Sequence, residues 1–361
     1  MRYLTWPECL AEKPFTHIID VRSPGEFACD RIPGAINLPA LSDAERAEVG
    51  RLYVQVSRFD ARRLGGAMVA RNVAAHLETF FTPLPEHCRF LLYCWRGGQR
   101  SKAVATILHA VGWHVTIVAA GYKGYRQHVR EALGQLCPQL HCRVVTGLTG
   151  SGKSKLLRLM ASQGHQVLDL ENLGAHRGSL LGDEPDASQP SQKYFESLLL
   201  EQIQRFDPAR PVWVESESKR LGRLWLPEPL WQAMLRAPVH ELHVPAAVRA
   251  GFLLREYPHF AAAPGELMNK LEILREPCGG ARLEEWRTLI RAGEWPAFVR
   301  SILEHHYDPG YRRNRKFAAP VAHHELTALD EDALATTACR ITQPMTVVAP
   351  AQPEPAAPGA L

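Results

Sequence analysis

Two runs that read as buried strands each end in a glycine-bearing loop that leads straight into a helix. The first run, Arg89-Phe90-Leu91-Leu92-Tyr93, leads to Cys94-Trp95-Arg96-Gly97-Gly98-Gln99-Arg100-Ser101. The second, Cys142-Arg143-Val144-Val145-Thr146, leads to Gly147-Leu148-Thr149-Gly150-Ser151-Gly152-Lys153-Ser154. Apolar strands alternating with helices imply parallel sheets covered on both faces. The fold class expected is therefore α/β with two domains. Residues 1–135 form a parallel-sheet domain, and residues 141–325 form a P-loop NTPase-like domain with a helical C-terminal part. Residues 134–141 are read as a linker and 341–361 as a disordered Pro/Ala-rich tail.

Local patterns fill in this frame. Short strands are expected at His17–Val21, near Ile36, and at 113–118, 166–170 and 211–215. Residues 43–81 read as mainly helical, with a break at Gly65-Gly66. The helix after the first loop is expected to end near Gly112, a favourable C-terminal stop. Beyond residue 265 the pattern is helical, with Leu267, Leu271 and Leu274 on one face.

A cysteine at a strand end, followed by a glycine loop entering a helix, places converging backbone N–H groups and a helix N-terminus around sulfur. That environment favours a thiolate, a persulfide or a bound oxyanion. Gly97 and Gly98 let the loop close, since glycine tolerates positive φ. Arg96 and Arg100 are candidates to hold an anionic donor, and Ser101 suits the helix N-cap. The Cys94-to-Arg100 offset also fits cysteine phosphatases.

The second loop meets the P-loop pattern G-x-x-x-x-G-K-S in full. Its backbone N–H groups, with Gly147, Thr149, Gly150, Ser151 and Gly152, are expected to wrap a polyphosphate. Lys153 reaches the terminal phosphates and the Ser154 hydroxyl reaches a Mg²⁺ ion. Two strand ends carry acids suited to support a cation, Glu215 with Glu217 and Asp169 with Glu171. Glu215 and Asp169 are the candidates taken forward.

Other features set bounds. None of the eight cysteines forms a C-x-x-C pair, which argues against a zinc ribbon, and scattered single thiols of this kind are expected to be reduced and mostly buried. No apolar run is long enough to span a bilayer, and the first residues lack the layout of a signal peptide, so a cytoplasmic, non-membrane protein is expected. Residues 1–135 hold 17 Lys and Arg against 12 Asp and Glu, too mild an excess to prove nucleic-acid binding. His305 and His306 lack further ligand spacing and read as structural; no firm metal site is expected beyond Ser154.

The stretch Asp20-Val21-Arg22-Ser23-Pro24-Gly25-Glu26-Phe27, then Arg31-Ile32-Pro33-Gly34-Ala35-Ile36-Asn37, resembles the N-terminal signature of rhodanese domains. The loop at Cys94 is similar to their active-site loop, whose cysteine carries a chalcogen as persulfide, and this upstream signature argues against the phosphatase reading. A rhodanese unit followed by a P-loop unit resembles the tRNA 2-selenouridine synthase family over about residues 1–325. The matching stretches are the two loops, Ala175-His176-Arg177-Gly178-Ser179, Gln189 to Glu196, and His306-Tyr307-Asp308-Pro309.

That resemblance implies a transferase acting on the wobble uridine of tRNA. It S-geranylates 2-thiouridine with geranyl diphosphate and then replaces the geranylthio group with selenium from selenophosphate, with Cys94 as catalytic thiol. Both donors are co-substrates, and no tightly bound cofactor is expected. A selenophosphate-producing enzyme is a further expected partner. His176 and Arg177 are candidate substrate contacts, and Trp225, Leu226, Leu230, Trp231, Phe252 and Leu253 are candidates for a prenyl slot. Two other readings stay open: a persulfide sulfurtransferase fused to an ATP-using kinase-like domain, and a non-catalytic RNA-binding module.

Overall fold

The computed structural model describes residues 1–178, 188–313 and 316–343. Two five-stranded sheets, all parallel, carry the chain. The first comprises β1 (Arg2–Leu4), β2 (His17–Asp20), β3 (Ile36–Asn37), β4 (Arg89–Tyr93) and β5 (His114–Val118), in the order β1-β5-β4-β2-β3. The second draws on β6 (Cys142–Gly147), β7 (Gln166–Leu168), β8 (Val212–Glu215), β11 (Val239–His243) and β12 (Ala322–Glu325), in the order β12-β11-β6-β8-β7. Between them in sequence, β9 (Arg220–Leu221) and β10 (Leu224–Trp225) form a small antiparallel ribbon. In each sheet the loop-bearing strand, β4 or β6, has a neighbour on both sides. Both faces of such strands are covered, which is why 89–93 and 142–146 read as near-continuous apolar runs.

Several local expectations shift for physical reasons. The helix Arg58–His76 runs through Gly65-Gly66 without a break. Gly65 is buried, and a Cβ there would stand 3.2 Å from a Val49 methyl, so the glycine lets helix Asp43–Gln55 pack close. The break falls instead at Val56-Ser57, where the Ser57 hydroxyl accepts the Asp60 N–H and caps the second helix. Residues 134–141 are not a loose linker. Helix Gly121–Leu136 continues into a 3₁₀ turn at Cys137–Gln139, and Cys137 is fully buried. Helix Glu331–Thr342 includes Ile341 and Thr342 of the expected tail and packs on the P-loop helix; residues 344–361 lie outside the described residues. Leu267, Leu271 and Leu274 do share a face, closing a small helical core with Leu283, Trp286 and Ile290.

The two sheets are joined by one continuous core. Tyr122, Tyr125, Val129 and Leu133 on helix 121–136 pack into the same apolar cluster as Phe195, Leu199 and Ile203 of helix Gln192–Ile203. Polar bonds lock this seam. Asp30, buried, accepts hydrogen bonds from Tyr122 (2.7 Å) on its own side and from Ser197 (3.0 Å) across the seam. Arg126 pairs with Glu196, the Ser191 hydroxyl donates to the Cys29 carbonyl, and the Arg31 guanidinium lies 3.8 Å from the Tyr194 ring centre.

Asp30→Ala removes an acceptor from two buried hydroxyls at once. Each unsatisfied group costs roughly 1–3 kcal/mol, so a loss of about 2–4 kcal/mol is expected. A lowered urea midpoint of the whole chain checks it, with Glu48→Ala, at an exposed helix position, as the unaffected control.

Candidate active site

The first loop leaves the end of β4 and turns into helix Gln99–Val111. Cys94 is only 3% exposed. Its sulfur accepts the Gly98 N–H at 3.2 Å and sits 3.3 Å from the Ser101 hydroxyl. The helix N-cap is Gly98, not Ser101; Ser101 lies inside the first turn, donates to the Gly98 carbonyl and backs the sulfur. Gly97 (φ +63°) and Gly121 (φ +57°) take the left-handed conformation that lets the loop close, whereas Gly98 (φ −95°) does not. A Cβ on Gly121 would stand 2.3 Å from the Cys94 carbonyl oxygen, so only glycine fits beneath the loop.

The loop arginines differ in role. Arg96 is exposed and Gln99 faces solvent, whereas Arg100 is held by Glu26 at 2.9 Å, tying the helix to the rhodanese-like signature segment. Trp95 is 39% exposed and lies over Tyr122, ring centres 5.2 Å apart. Behind it, Arg22 is buried with Asp20 at 2.6 Å and donates to the Asp30 carbonyl. Burial pushes three further thiols up, Cys9 and Cys142 to about 11 and Cys137 to about 12, so these three are protonated packing groups.

The second loop follows β6 and ends at helix Lys153–Ser162. Gly150 (φ +80°) and Gly152 (φ +77°) take left-handed conformations that turn backbone N–H groups inward. The Lys153 ammonium donates to the Gly147 carbonyl at 2.9 Å and lies 3.5 Å from Glu215. Ser154 donates to Glu215 at 2.7 Å. Burial alone would lower the Lys153 ammonium, but Glu215, then Tyr311, Glu217 and Glu171, outweigh it and raise it.

Glu171, Glu215 and Glu217 converge here, all buried, with carboxylate oxygens within 4.8 Å of one another. Burial, then the charges of Glu215 and Glu217, raise Glu171 to about 8; burial, then Glu215, raise Glu217 to about 7. Three oxygen donors beside a serine hydroxyl suit a hard divalent cation such as Mg²⁺. Asp169 is not among them. Its carboxylate caps helix Leu170–Gly174 by accepting the Asn172 N–H and pairs with Arg158, while Glu171, two residues on, turns inward.

These groups line a cavity of about 670 Å³ that also reaches Arg177, Tyr257, His306, Tyr311 and Lys316. A narrower apolar crevice adjoins it, sharing Thr149, Leu253, Tyr257 and Tyr307, and is walled by Phe260, Trp295, Phe298 and Val299. Of the expected prenyl-slot residues, Leu253 lines both spaces and Phe252 only the larger one. Leu226, Leu230 and Trp231 belong to the shared core, and Trp225 is exposed on the β9–β10 ribbon. His176 is buried, with its Nδ1 accepting the Gly178 N–H, so it shapes the turn and does not line the cavity. Arg177 does line it, donating to the Glu256 carbonyl.

Two supporting residues carried no motif. Arg249 is buried, holds Asp308 through both carboxylate oxygens and donates to the Thr149 carbonyl of the P-loop. The Tyr311 hydroxyl accepts the Gly147 N–H at 3.2 Å and bonds Thr146 and Ser216.

A cysteine loop on one parallel sheet and a P-loop on the next define a rhodanese-like domain joined to a P-loop domain. Comparison with known proteins agrees: a rhodanese-like domain model matches residues 8–128, and a tRNA 2-selenouridine synthase AAA domain model matches 140–273. Proteins named tRNA 2-selenouridine synthase are similar to this chain in Nitrosomonas europaea (36% identity; 67% of this chain, 63% of that one) and Aeromonas salmonicida (38%; 67% and 65%). The relative in Hahella chejuensis is 32% identical, covering 81% of this chain and 84% of that one. The chain belongs to the tRNA 2-selenouridine synthase family. Its match spans less than two thirds of the length of the first two relatives. Among solved structures, the N-terminal domain of a putative ATP/GTP binding protein from Clostridium difficile 630 is 31% identical, covering 35% of this chain and 98% of that one, with a TM-score of 0.32.

The raised carboxylates set a pH dependence. Their native values lie above the ordinary 4.5, so the folded protein keeps protons that the unfolded chain has lost, and stability falls as pH rises from about 4.5 to 8. Glu171→Gln is expected to make that fall shallower in melting temperatures recorded from about pH 5 to 8. An unchanged slope contradicts the clustering.

Proposed function

We propose that this protein is a transferase that converts the 2-thiouridine at a tRNA wobble position to 2-selenouridine in two stages. The observation that carries this reading is the apolar crevice opening off the P-loop cavity beside Thr149 and Leu253. A nucleotide kinase has no need of a hydrocarbon-lined slot next to its phosphates, whereas geranyl diphosphate needs both.

In the first stage the thiocarbonyl sulfur attacks C1 of the geranyl chain, the carbon–oxygen bond breaks and diphosphate leaves. Lys153 and the loop N–H groups neutralise the charge that develops on that leaving group. Ser154 with Glu171, Glu215 and Glu217 would hold a divalent cation, and that cation would add to the charge neutralisation of the diphosphate. Prenylation turns a poor leaving group into a thiol that departs easily.

In the second stage selenium from selenophosphate takes the place of the geranylthio group. Selenium in selenophosphate is already fully reduced, so forming a perselenide on Cys94 requires an oxidant. Attack of the Cys94 sulfur on C2 requires none: the carbon–sulfur bond to the geranyl thiol breaks, and selenium then displaces the cysteine. Water cleaves the remaining phosphorus–selenium bond and releases phosphate. Trp95, exposed beside the loop, offers a face on which an unpaired base stacks. Cys94 is buried, so this stage includes an outward movement of the loop.

Wobble nucleosides from cells lacking the protein, complemented with variants, test the whole reading. Mass spectrometry is expected to show selenouridine only with wild type, geranylated thiouridine accumulating with Cys94→Ala, and unmodified thiouridine with Lys153→Ala. Unchanged nucleosides in every strain, with selenium supplied, overturn it; ATP turnover without tRNA favours the kinase-like alternative. Separately, Val299→Trp fills the crevice. It is expected to raise KM for geranyl diphosphate about tenfold or more, equivalent to roughly 1.4 kcal/mol, while inorganic diphosphate competes as before.

A further inference from the structure

The edge of the second sheet carries a group of ligand-type side chains unconnected with either loop. Glu241 and His243 lie two apart on β11 and therefore share a face. His323 on β12 is the register partner of Glu241, which puts it on that same face. Their ligand atoms meet. His243 Nε2 lies 2.9 Å from His323 Nδ1 and 3.3 Å from Glu241 Oε2, and His323 Nδ1 lies 3.3 Å from the same oxygen. Glu325, the register partner of His243, adds a carboxylate to that face.

These separations have a geometric meaning. Zinc holds nitrogen and oxygen ligands at about 2.0–2.2 Å in a tetrahedron, whose edges are then roughly 3.3–3.5 Å. Three atoms at 2.9, 3.3 and 3.3 Å form one nearly regular triangular face of that tetrahedron, with the fourth corner toward solvent. Two neutral imidazoles and one carboxylate are also the donor set that borderline-soft divalent ions prefer. The opposite face of the same strands differs: His240 and His324 are buried and stacked as a pair, with no third ligand among the described residues.

We propose that Glu241, His243 and His323 bind one divalent transition ion of zinc type, distinct from the cation-suited cluster at the P-loop, and that this ion fastens β12 to β11. β12 is an edge strand paired only with β11. The chain after it packs Leu326 and Leu329 into the core beneath the P-loop helix, and a Leu329 methyl lies 3.0 Å from where a Cβ on Gly152 would stand. Ion binding at the edge therefore stiffens the segment that backs the P-loop.

The test uses the full chain, stripped with chelator and titrated with Zn²⁺ in a calorimeter. One equivalent is expected for wild type, for Cys94→Ser and for Glu171→Gln/Glu217→Gln. His243→Gln/His323→Gln is expected to lose it, with affinity falling by more than the roughly 10- to 100-fold that loss of an outer-shell partner costs. Co²⁺ is expected to give the visible absorption of a four-coordinate site without a thiolate charge-transfer band, and Zn²⁺ to raise the melting temperature of wild type but not of the double histidine variant. Glu241→Gln, a milder change, is expected to weaken Zn²⁺ binding less than the double histidine variant does. Absence of binding by wild type, equal binding by the double histidine variant, or a thiolate band with Co²⁺ overturns the proposal.

Discussion

A buried guanidinium and two carboxylates hold this molecule in register. Arg22 is clamped by Asp20, stacks 4.0 Å from the Tyr122 ring centre and donates to the Asp30 carbonyl. Asp30 in turn bonds Tyr122 and, across the seam, Ser197. Breaking a buried pair strands a charge, which is far costlier than the pair's net contribution. The network thus serves position: it fixes β2, the underside of the cysteine loop and helix Gln192–Ile203 of the P-loop domain relative to one another. Tyr122 also supports Trp95, so the same few atoms set the floor of the first loop.

The second loop is braced from behind in a comparable way. Arg249 reads the Thr149 carbonyl while Asp308 holds Arg249, and Tyr311 closes on Gly147. Both braces come from segments remote in sequence, so the phosphate loop stays shaped only when the helical part is folded. The helical part also supplies the apolar crevice. The P-loop and the apolar crevice beside it are therefore made by different elements, the first leaning on the second.

Both loops were legible because each is a local pattern in which strand, glycine and helix start follow without interruption. The acid cluster was only half legible. Glu215 stands at a strand end in line with Ser154, but Glu171 and Asp169 are two residues apart at the start of one short helix, and the turn geometry decides which faces in. The helix cap claims Asp169. The stretches Gln189–Glu196 and His306–Pro309 carried the family resemblance with no physical role attached. The structure supplies roles: Gln189 bonds the Gly174 and Leu221 carbonyls, Ser191 and Glu196 bridge to the first domain, and Asp308 anchors Arg249. Such roles depend on partners 15 to 162 positions away, beyond the reach of a local pattern. β1, β11 and β12 were missed for related reasons: β1 is a three-residue strand placed by pairing, and β11 and β12 carry too many polar residues to read as core.

The uninterrupted core at the seam bears on how such a chain can be taken apart. Helix 121–136 hands over to β6 through a 3₁₀ turn anchored by the buried Cys137, and its tyrosines and leucine share a core with the second half. Neither half finishes its own surface. Cut at residue 140, each piece would expose a greasy wall to water and tend to self-associate. The cysteine loop and the P-loop are thus carried on one body, and a change at the shared wall reaches both.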